Sequence, residues 1–313
     1  MKQILVFGHK NPDTDSICSA ISFTELKNAL GINAVACRLG NISRETQFAL
    51  KHFGAQEPIL LTDVNPCEDG TKKEVILVDH NEKFQTADGI ENAKILEVVD
   101  HHKFNFVTDE PLKITADTVG CTCTLIYRLF KQAGITPSKT AAGLMMSAII
   151  SDTLLFKSPT CTPEDVEAVK ELAKLCGEEN FEDYGMKLLI EGTSLSDKSP
   201  EEIITIDMKE FDMNGKTVAV AQVNTVDVNG LLSMQDKLEK AMNDKSANSG
   251  YDSFVLVITD IIKAGSYVLF TGKSPELVEN GFNVKLDNNI AWLEGVVSRK
   301  KQVVPFMLKA SGK

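Results

Sequence analysis

Residues 4–16 read Ile4-Leu5-Val6-Phe7-Gly8-His9-Lys10-Asn11-Pro12-Asp13-Thr14-Asp15-Ser16. The aliphatic run predicts a buried strand, and the loop after it carries one imidazole and two carboxyl groups. Two further aliphatic runs end in the same way, 75–78 before Asp79-His80 and 95–99 before Asp100-His101-His102. Three predicted strands therefore deliver acids and imidazoles to their carboxyl ends, the edge at which open α/β sheets bind ligands.

The first half of the chain alternates predicted strands and helices. The apolar runs predict strands at 3–7, 33–37, 58–61, 75–78 and 95–99. Helical patterns with cap and stop signals predict helices at 16–30, 43–53, 119–133, 138–150 and 163–176. Strands separated by helices of this length pair in parallel through right-handed crossovers. The fold class is therefore α/β, with a mostly parallel sheet flanked by helices.

A polar stretch rich in turn-forming residues, 192–200, separates this region from the rest of the chain. It predicts a linker, so we expect a metal-binding catalytic domain at 1–190, a linker at 191–200 and a second domain at 201–313. Beyond it, strands are predicted at 203–207, 217–223, 254–258 and 266–271, with a helix near 227–242. These elements indicate a smaller α/β domain.

Composition excludes several classes of function. A net charge of -11 disfavours general nucleic-acid binding, which needs a basic surface. Seven scattered cysteines without a C-x-x-C pair are typical of reduced thiols in a cytosolic protein. The first strand is too short for a signal-peptide core, and no run of 18 apolar residues occurs. We therefore expect a cytoplasmic protein without nucleic-acid or membrane partners.

The acids and imidazoles that follow apolar segments form one candidate metal site. The set includes Asp152, which follows the apolar stretch 148–150. Its members are His9, Asp13, Asp15, Asp79, Asp100, His101, His102 and Asp152. Oxygen and imidazole ligands without thiolate suit Mn²⁺, Mg²⁺ or Co²⁺. Even six ligands drawn from this set exceed what one catalytic ion needs, and they suit two ions that share a carboxylate.

A two-metal centre predicts metal-assisted phosphoryl hydrolysis, because paired ions activate a water and hold the oxygens of an in-line displacement at phosphorus. Each motif alone also has a structural interpretation. Asp13 could be a turn residue, Asp15 or Ser16 could cap a helix, and Asp100-His101-His102 could simply end a strand. Their joint placement at three strand ends favours the metal site.

At these residues the sequence resembles the family II, manganese-dependent inorganic pyrophosphatases of the DHH phosphoesterase superfamily. Residues 8–16 and 78–82 match the first two motifs of that family, and Asp100-His101-His102 matches the motif that names the superfamily. Residues 151–153 match the next motif. Ser298-Arg299-Lys300-Lys301-Gln302 matches the DHHA2 signature. The similarity covers essentially the whole chain, with the motifs in order.

The resemblance implies a role for each residue. One ion would be held by His9, Asp13 and Asp79, and the other by Asp15, Asp79, His101 and Asp152. Asp79 would bridge the ions, Asp100 would orient the neighbouring imidazole, and His102 would face the substrate. Arg299, Lys300 and Lys209 would bind pyrophosphate, although Lys216 lies near Lys209 in a loose motif. The catalytic set is then His102, Asp15, Asp79 and Asp152.

The resemblance further implies hydrolysis of pyrophosphate to two phosphates by a hydroxide held at a dinuclear site between two domains. It implies two Mn²⁺ per subunit, Co²⁺ as a substitute, an additional Mg²⁺ arriving with the substrate, and a homodimer formed through the N-terminal domain. Basic residues in the second domain also suggest closure about the 192–200 linker. An arbitrary Arg-Lys-Lys run is otherwise typical of a solvated turn.

Two other functions remain open from the sequence. One is a DHH phosphoesterase acting on short polyphosphate or nucleotides, although its usual glycine-rich C-terminal motif is absent and the aromatic content is only 6%. The other is a non-catalytic module that binds metal or phosphate. The intact set of candidate ligands disfavours the second alternative.

Overall fold

The computed structural model describes residues 3–108, 110–195 and 197–312. The chain divides into two units, Met1–Gly192 and Thr193–Lys313. Within the predicted linker, one helix ends at Thr193 and another begins at Pro200. Ser196, which belongs to that predicted linker, lies outside the described residues.

The first unit contains a six-stranded sheet with the order β3-β2-β1-β4-β5-β6. Its strands are β1 Ile4–Phe7, β2 Ala34–Arg38, β3 Ile59–Leu60, β4 Glu74–Val78, β5 Lys94–Asp100 and β6 Lys113–Ala116. Every neighbouring pair is parallel, so the predicted pairing is confirmed. The strand order reverses between β1 and β4, and at such a switch point the loops diverge and leave a crevice.

Among the described residues, six α-helices accompany this sheet. They are α1 Thr14–Ala29, α2 Arg44–His52, α3 Thr122–Ala133, α4 Lys139–Asp152, α5 Pro163–Cys176 and α6 Phe181–Thr193. Side chains from these helices form one core with Val6, Val78 and Val99 on one face of the sheet. Phe7 and Leu77 point to the other face, where loop residues and short 3₁₀ turns cover them. Alternate residues of the central strands are therefore buried on both faces, as parallel sheets require.

The second unit contains a five-stranded mixed sheet with the order β11-β10-β9-β8-β7. Its strands are β7 Lys209–Met213, β8 Lys216–Thr225, β9 Ser253–Asp260, β10 Gly265–Gly272 and β11 Ile290–Glu294. Only β8 and β9 pair in parallel. The helices are α7 Pro200–Ile203, α8 Val228–Leu232, α9 Gln235–Ser249, α10 Glu276–Phe282 and α11 Val304–Ala310, and Arg299–Val303 forms a π-helix. Separate apolar clusters cover the two faces.

The predicted strand at 203–207 is wrong. Ser199 caps α7, and its side chain and that of Glu202 form a reciprocal capping box around Pro200. This arrangement satisfies the first amides of a helix and therefore favours a helical turn over a strand. Ile203 and Ile204 are buried against the second unit's core from that turn.

Within the described residues, no helix combines the length and the apolar character needed to span a bilayer.

Candidate metal centre

The carboxyl ends of β1, β4 and β5 bring the candidate ligands to the switch point of the first sheet. The loop after β1 passes so close to the start of α1 that a Cβ at Gly8 would lie 1.9 Å from Ser16 Oγ. Only glycine fits such a close approach. The helix begins at Thr14, two residues earlier than predicted, and Asp15 is therefore buried in its first turn.

The first group of candidate ligands consists of His9, Asp13 and Asp79, which offer ligand atoms within 4.8 Å of one another. His9 Nε2 lies 3.4 Å from Asp13 Oδ2 and 3.4 Å from Asp79 Oδ2. Asp13 Oδ1 accepts a hydrogen bond from the Ser16 backbone N–H and caps α1. The capping role and a place in the cluster therefore coexist, one on each carboxyl oxygen.

The second group consists of Asp15, His101 and Asp152, again within 4.8 Å of one another. Asp15 Oδ2 accepts from the Thr122 backbone N–H at 2.7 Å, and Oδ1 accepts from the Cys123 backbone N–H at 3.1 Å. Both amides belong to the start of α3, where unpaired N–H groups favour an anion. Asp152 is supplied by the last turn of α4.

The two imidazoles of these groups are oriented by backbone carbonyls. His9 Nδ1 lies 2.8 Å from the Lys10 carbonyl oxygen, and His101 Nδ1 lies 3.0 Å from that of Val119. A carbonyl only accepts, so Nδ1 carries the proton in both rings. Nε2 of each ring is therefore directed at the carboxylates, as in a metal-ligating histidine.

Asp79 belongs to more than one group of candidate ligands. It groups with His9 and Asp13, and its Oδ1 lies 3.6 Å from His101 Nε2. Its backbone has a left-handed φ of 59°, which an aspartate tolerates better than a branched residue does. Oδ1 accepts from Thr122 Oγ1 at 3.1 Å. Oδ2 is buried and has no hydrogen-bond partner among the described residues.

Burial and mutual repulsion shift the pKa values in this cluster. Burial, followed by the charge of Asp15, raises the pKa of Asp79 well above its usual value. Burial and the charges of the other aspartates raise the pKa of Asp152 as well. Burial lowers the pKa of His9, but the carboxylates of Asp13 and Asp79, each 3.4 Å from its Nε2, outweigh burial and raise that pKa to about 11. The cluster on its own therefore retains protons at neutral pH.

These residues fit divalent metal ions. A buried carboxylate oxygen without a hydrogen-bond partner and several carboxylates of raised pKa both call for positive charge at the same place. The donors are oxygen and imidazole nitrogen, the set preferred by Mn²⁺ and related ions. Cys121 and Cys123 also lie beside Asp15, but burial raises the pKa of both thiols, that of Cys123 to about 12. Neutral thiols are poor ligands.

His102 forms a further group with Asp79 and His101, and Asp100 orients its ring. Its Nδ1 donates to Asp100 Oδ1 at 2.8 Å, and Asn81 Nδ2 donates to Asp100 Oδ2 at 2.6 Å. Burial acts to raise the pKa of Asp100, but the hydrogen bonds from His102 and Asn81 outweigh burial and lower that pKa. The same hydrogen bond raises the pKa of His102, whose side chain is 53% exposed. The hydrogen bond to Asp100 therefore favours the imidazolium form of His102 beside Asp79.

The cationic residues predicted from the DHHA2 signature lie in the second unit. Arg299 is only 6% exposed, and its Nη2 donates to Asp207 Oδ1 at 3.0 Å. Its Nε and Nη1 have no hydrogen-bond partner in the part of the chain that the structure describes. Lys300 and Lys209 are exposed.

The two candidate lysines of the β7–β8 hairpin lie at opposite ends of it. Lys209 pairs in register with Val220, two residues before Gln222, whose Oε1 accepts from the Arg299 backbone N–H at 2.9 Å. Lys216 lies at the turn end and donates to Glu276 Oε1 at 2.8 Å. Lys209 therefore lies at the end of the hairpin nearer to Arg299.

Sequence analysis did not identify Thr122, Asn81 or Glu45 as contributors to the centre. Thr122 could have been found, because it follows the predicted helix start and helix-terminal amides favour carboxylates. Asn81 lies within a quoted motif without an assigned role. Glu45 contacts residues far away along the chain, and no local pattern indicates that contact.

The shifted pKa values predict that the stability of the metal-free protein falls as pH rises from 7 to 9. In this window His9 stays protonated in the folded state and is neutral in the unfolded state, so folding binds protons. The raised pKa values of Asp79 and Asp152 act in the same direction. Burial lowers the pKa of His80 to about 4. This residue therefore makes stability rise with pH, but only below about pH 6.5.

We expect the melting temperature in excess EDTA to be lower at pH 9 than at pH 7 by about 4 °C for each retained proton, since each retained proton is worth about 1.4 kcal/mol per pH unit. With saturating Mn²⁺ the stabilisation should instead grow with pH, because metal displaces those protons. Differential scanning fluorimetry at both pH values measures how the melting temperature changes with pH, once in EDTA and once with Mn²⁺. Equal slopes with and without Mn²⁺ would contradict this account of the cluster.

Comparison with known proteins gives consistent results for both units. Residues 3–149 match the DHH family, N-terminal domain, and residues 186–310 match the DHHA2 domain. A relative from Exiguobacterium sp. is 51% identical over 314 residues, which is 100% of each chain. A relative from Bacillus cereus is 50% identical over 311 residues, with 99% of each chain covered. Both are named "Probable manganese-dependent inorganic pyrophosphatase".

Solved structures show the same relationship. One from Methanococcus jannaschii, described as a candidate family II inorganic pyrophosphatase, is 43% identical with a TM-score of 0.62. The similarity covers 99% of this chain and 100% of that one. An exopolyphosphatase-related protein from Bacteroides fragilis has a TM-score of 0.51 over 99% of this chain and 92% of its own. At 16% identity it supports the fold alone.

Proposed function

Because the chain belongs to the family II, manganese-dependent inorganic pyrophosphatases, with DHH and DHHA2 domains, we propose that it hydrolyses inorganic pyrophosphate to two phosphates. The observation that carries the proposal is the position of Asp79. Its carboxylate belongs to one group with His9 and Asp13, faces His101, and leaves one buried oxygen without a hydrogen bond. Such a carboxylate is suited to bridging two dications.

Two Mn²⁺ ions per subunit are proposed for the cluster. The first would be held by His9, Asp13 and Asp79, and the second by Asp15, Asp79, His101 and Asp152. Bound there, Mn²⁺ lowers the pKa of a coordinated water and withdraws charge from phosphoryl oxygens. The carboxylates of this set fix the positions of the ions and balance their charge, which is the proposed catalytic role of Asp15, Asp79 and Asp152.

His102 is proposed to contact the substrate. Asp100 holds the Nδ1 proton of the ring and favours the imidazolium form. Nε2–H can then donate a charge-assisted hydrogen bond to a pyrophosphate oxygen without first taking a proton from solvent. Asn81 and the buried position of Asp100 keep the carboxylate oriented for this purpose.

Arg299, Lys300 and Lys209 are proposed to bind the anionic substrate. Pyrophosphate carries several negative charges, and the carboxylates already balance much of the charge of the metal ions. The Nε–H and Nη1–H groups of Arg299, which have no partner among the described residues, support this role, because buried donors need acceptors and phosphate oxygens match the guanidinium fork. Lys209 is favoured over Lys216 because the latter is engaged by Glu276.

The remaining expectations are proposals as well. Co²⁺ should support activity because it accepts the same ligands, and a further Mg²⁺ should enter with pyrophosphate. A homodimer through the first unit is supported by β6, an edge strand on which Ile114 is 50% exposed. Free cysteines support a reducing, cytoplasmic location, and the net charge of -11 disfavours nucleic acid. Closure of the second domain over the first stays a prediction.

A substrate panel tests the proposed function. Purified protein is stripped with EDTA, reloaded with Mn²⁺, and assayed for phosphate release from pyrophosphate, tripolyphosphate and bis-p-nitrophenyl phosphate. We expect pyrophosphate to be hydrolysed at least about 100-fold faster than the other two, and only with metal present. Preferential cleavage of the diester or of tripolyphosphate would indicate another DHH phosphoesterase. Metal binding without turnover would indicate a binding module.

A further inference from the structure

Glu45 lies outside the proposed ligand set but connects two segments that carry ligands. One oxygen of its carboxylate, Oε1, accepts a hydrogen bond from Thr14 Oγ1 at 2.5 Å and another from Ser151 Oγ at 2.5 Å. A carboxylate only accepts, so both hydroxyl protons are directed to Glu45. Residues 14 and 151 are 137 positions apart in the chain, and a single oxygen holds them together.

Both hydroxyl partners are direct chain neighbours of proposed ligands. Thr14 stands between Asp13 and Asp15, which are assigned to different ions. Ser151 immediately precedes Asp152. A shift of either hydroxyl residue would therefore move a ligand of the centre, and the Glu45 carboxylate fixes both at once.

The network around Glu45 is partly shielded from water. Glu45 and Ser151 are half-buried, and Thr14 is buried and also lies 3.1 Å from Thr46 Oγ1 on the same helix as Glu45. Hydrogen bonds in a partly buried setting are stronger than in water, because the local dielectric constant is lower. The network thus has the properties expected of groups that hold metal ligands in place.

The other carboxylate oxygen of Glu45 faces Gly192. A Cβ added to Gly192 would lie 2.3 Å from Glu45 Oε2 and 3.0 Å from its Cδ, well inside van der Waals contact. Gly192 belongs to the last turn of α6 and is the final residue of the first unit. An added methyl group would press on the Glu45 carboxylate, whose Oε1 holds Thr14 and Ser151.

We propose that Glu45 is a positioning residue that sets the Mn²⁺ affinity of the centre through Thr14 and Ser151, and that Gly192 provides the space its carboxylate requires. The proposal rests on the metal centre of the proposed function. It assigns a role to two residues that contact neither the metal ligands' donor atoms nor the substrate. It also makes metal affinity sensitive to the end of α6, where the first unit ends.

The first test measures Mn²⁺ binding to EDTA-stripped protein by isothermal titration calorimetry. Glu45→Ala should raise the dissociation constant by about 10–100-fold, the usual cost of losing groups that orient ligands. Glu45→Gln retains an Oε1 acceptor and should recover much of the affinity. The control is Glu25→Ala, which also removes a carboxylate holding a serine, Ser138, but at a helix cap remote from the ligands. It should leave the dissociation constant unchanged.

The second test uses Gly192→Ala, which removes no hydrogen-bonding group. Alanine is the better helix former, so α6 itself should be maintained. We expect the Mn²⁺ dissociation constant to rise as in Glu45→Ala, and we expect Gly192→Ala to add nothing in the Glu45→Ala background. Such non-additivity identifies residues that act through one contact. Independent, additive effects of the two substitutions would overturn the proposal.

Different results would contradict the role of Glu45 and the proposed metal centre. If the parent protein binds Mn²⁺ and hydrolyses pyrophosphate while folded Glu45→Ala keeps the parent dissociation constant, the role of Glu45 is wrong and the proposed function stands. If the parent protein binds no Mn²⁺, the metal centre itself is wrong, and the role of Glu45 falls with it.

Discussion

Asp79→Asn is expected to lower the turnover of pyrophosphate by on the order of 10³-fold or more, with loss of metal from both sites. Asparagine has the shape of aspartate and keeps an oxygen for the Thr122 hydroxyl, which now donates to Asp79 Oδ1. It lacks the negative charge that two cations would share. The effect on activity therefore separates charge from packing at this position.

The measurement combines steady-state kinetics with metal analysis after gel filtration in buffer free of added Mn²⁺. The parent should retain two Mn²⁺ per subunit, and Asp79→Asn should retain clearly less than one at each site. Asp117→Asn is the matched control, because Asp117 is an exposed aspartate paired with Arg128. Equal Mn²⁺ content in Asp79→Asn and the parent would show that the carboxylate does not bridge.

The second large effect is expected at Arg299. Arg299→Ala should lower kcat/KM for pyrophosphate by about 10²–10³-fold, the range for removing one donor that stabilises transition-state charge. The guanidinium is nearly fully buried, and among the described residues only its Nη2 has a side-chain partner, Asp207. The substitution removes two unused donors at once. Because Arg299 is not among the proposed ligands, the Mn²⁺ content should be unchanged.

Lys300→Ala provides the comparison for Arg299→Ala. Lys300 is exposed and offers a mobile point charge, so its loss should weaken substrate handling less and also spare metal binding. We expect Lys300→Ala to raise KM above the parent value, and we expect this difference in KM to shrink as salt is added, because salt screens an exposed charge. If Arg299→Ala left kcat/KM near the parent value, the proposed role of Arg299 in binding the substrate would be wrong.

The sequence predicted the parts of the centre that depend on local pattern. Aliphatic runs followed by acids fixed the ends of β1, β4 and β5, and parallel pairing brings such ends to one edge of a sheet. The structure then brings His9, Asp13 and Asp79 into one group and Asp15, His101 and Asp152 into another. These side chains lie close together because each strand carries its own polar terminus.

Other features could not be predicted because they depend on contacts distant in sequence. The edge strands β6 and β7 are mostly exposed and mix polar with apolar residues. They therefore lack the apolar runs that identify the central strands. The isoleucine-rich stretch 203–207 predicts a strand, whereas the capping box at Ser199 favours a helical turn. The link from Glu45 to Ser151 spans 106 positions and leaves no local signal.

Anomalous diffraction at the manganese edge, from crystals of the protein loaded with Mn²⁺, tests the central claim most directly. We predict two peaks in the first unit, both within coordination distance of the Asp79 carboxylate. One should also contact His9 and Asp13, and the other Asp15, His101 and Asp152. A single peak, or two peaks of which either lies beyond reach of Asp79, would contradict the account.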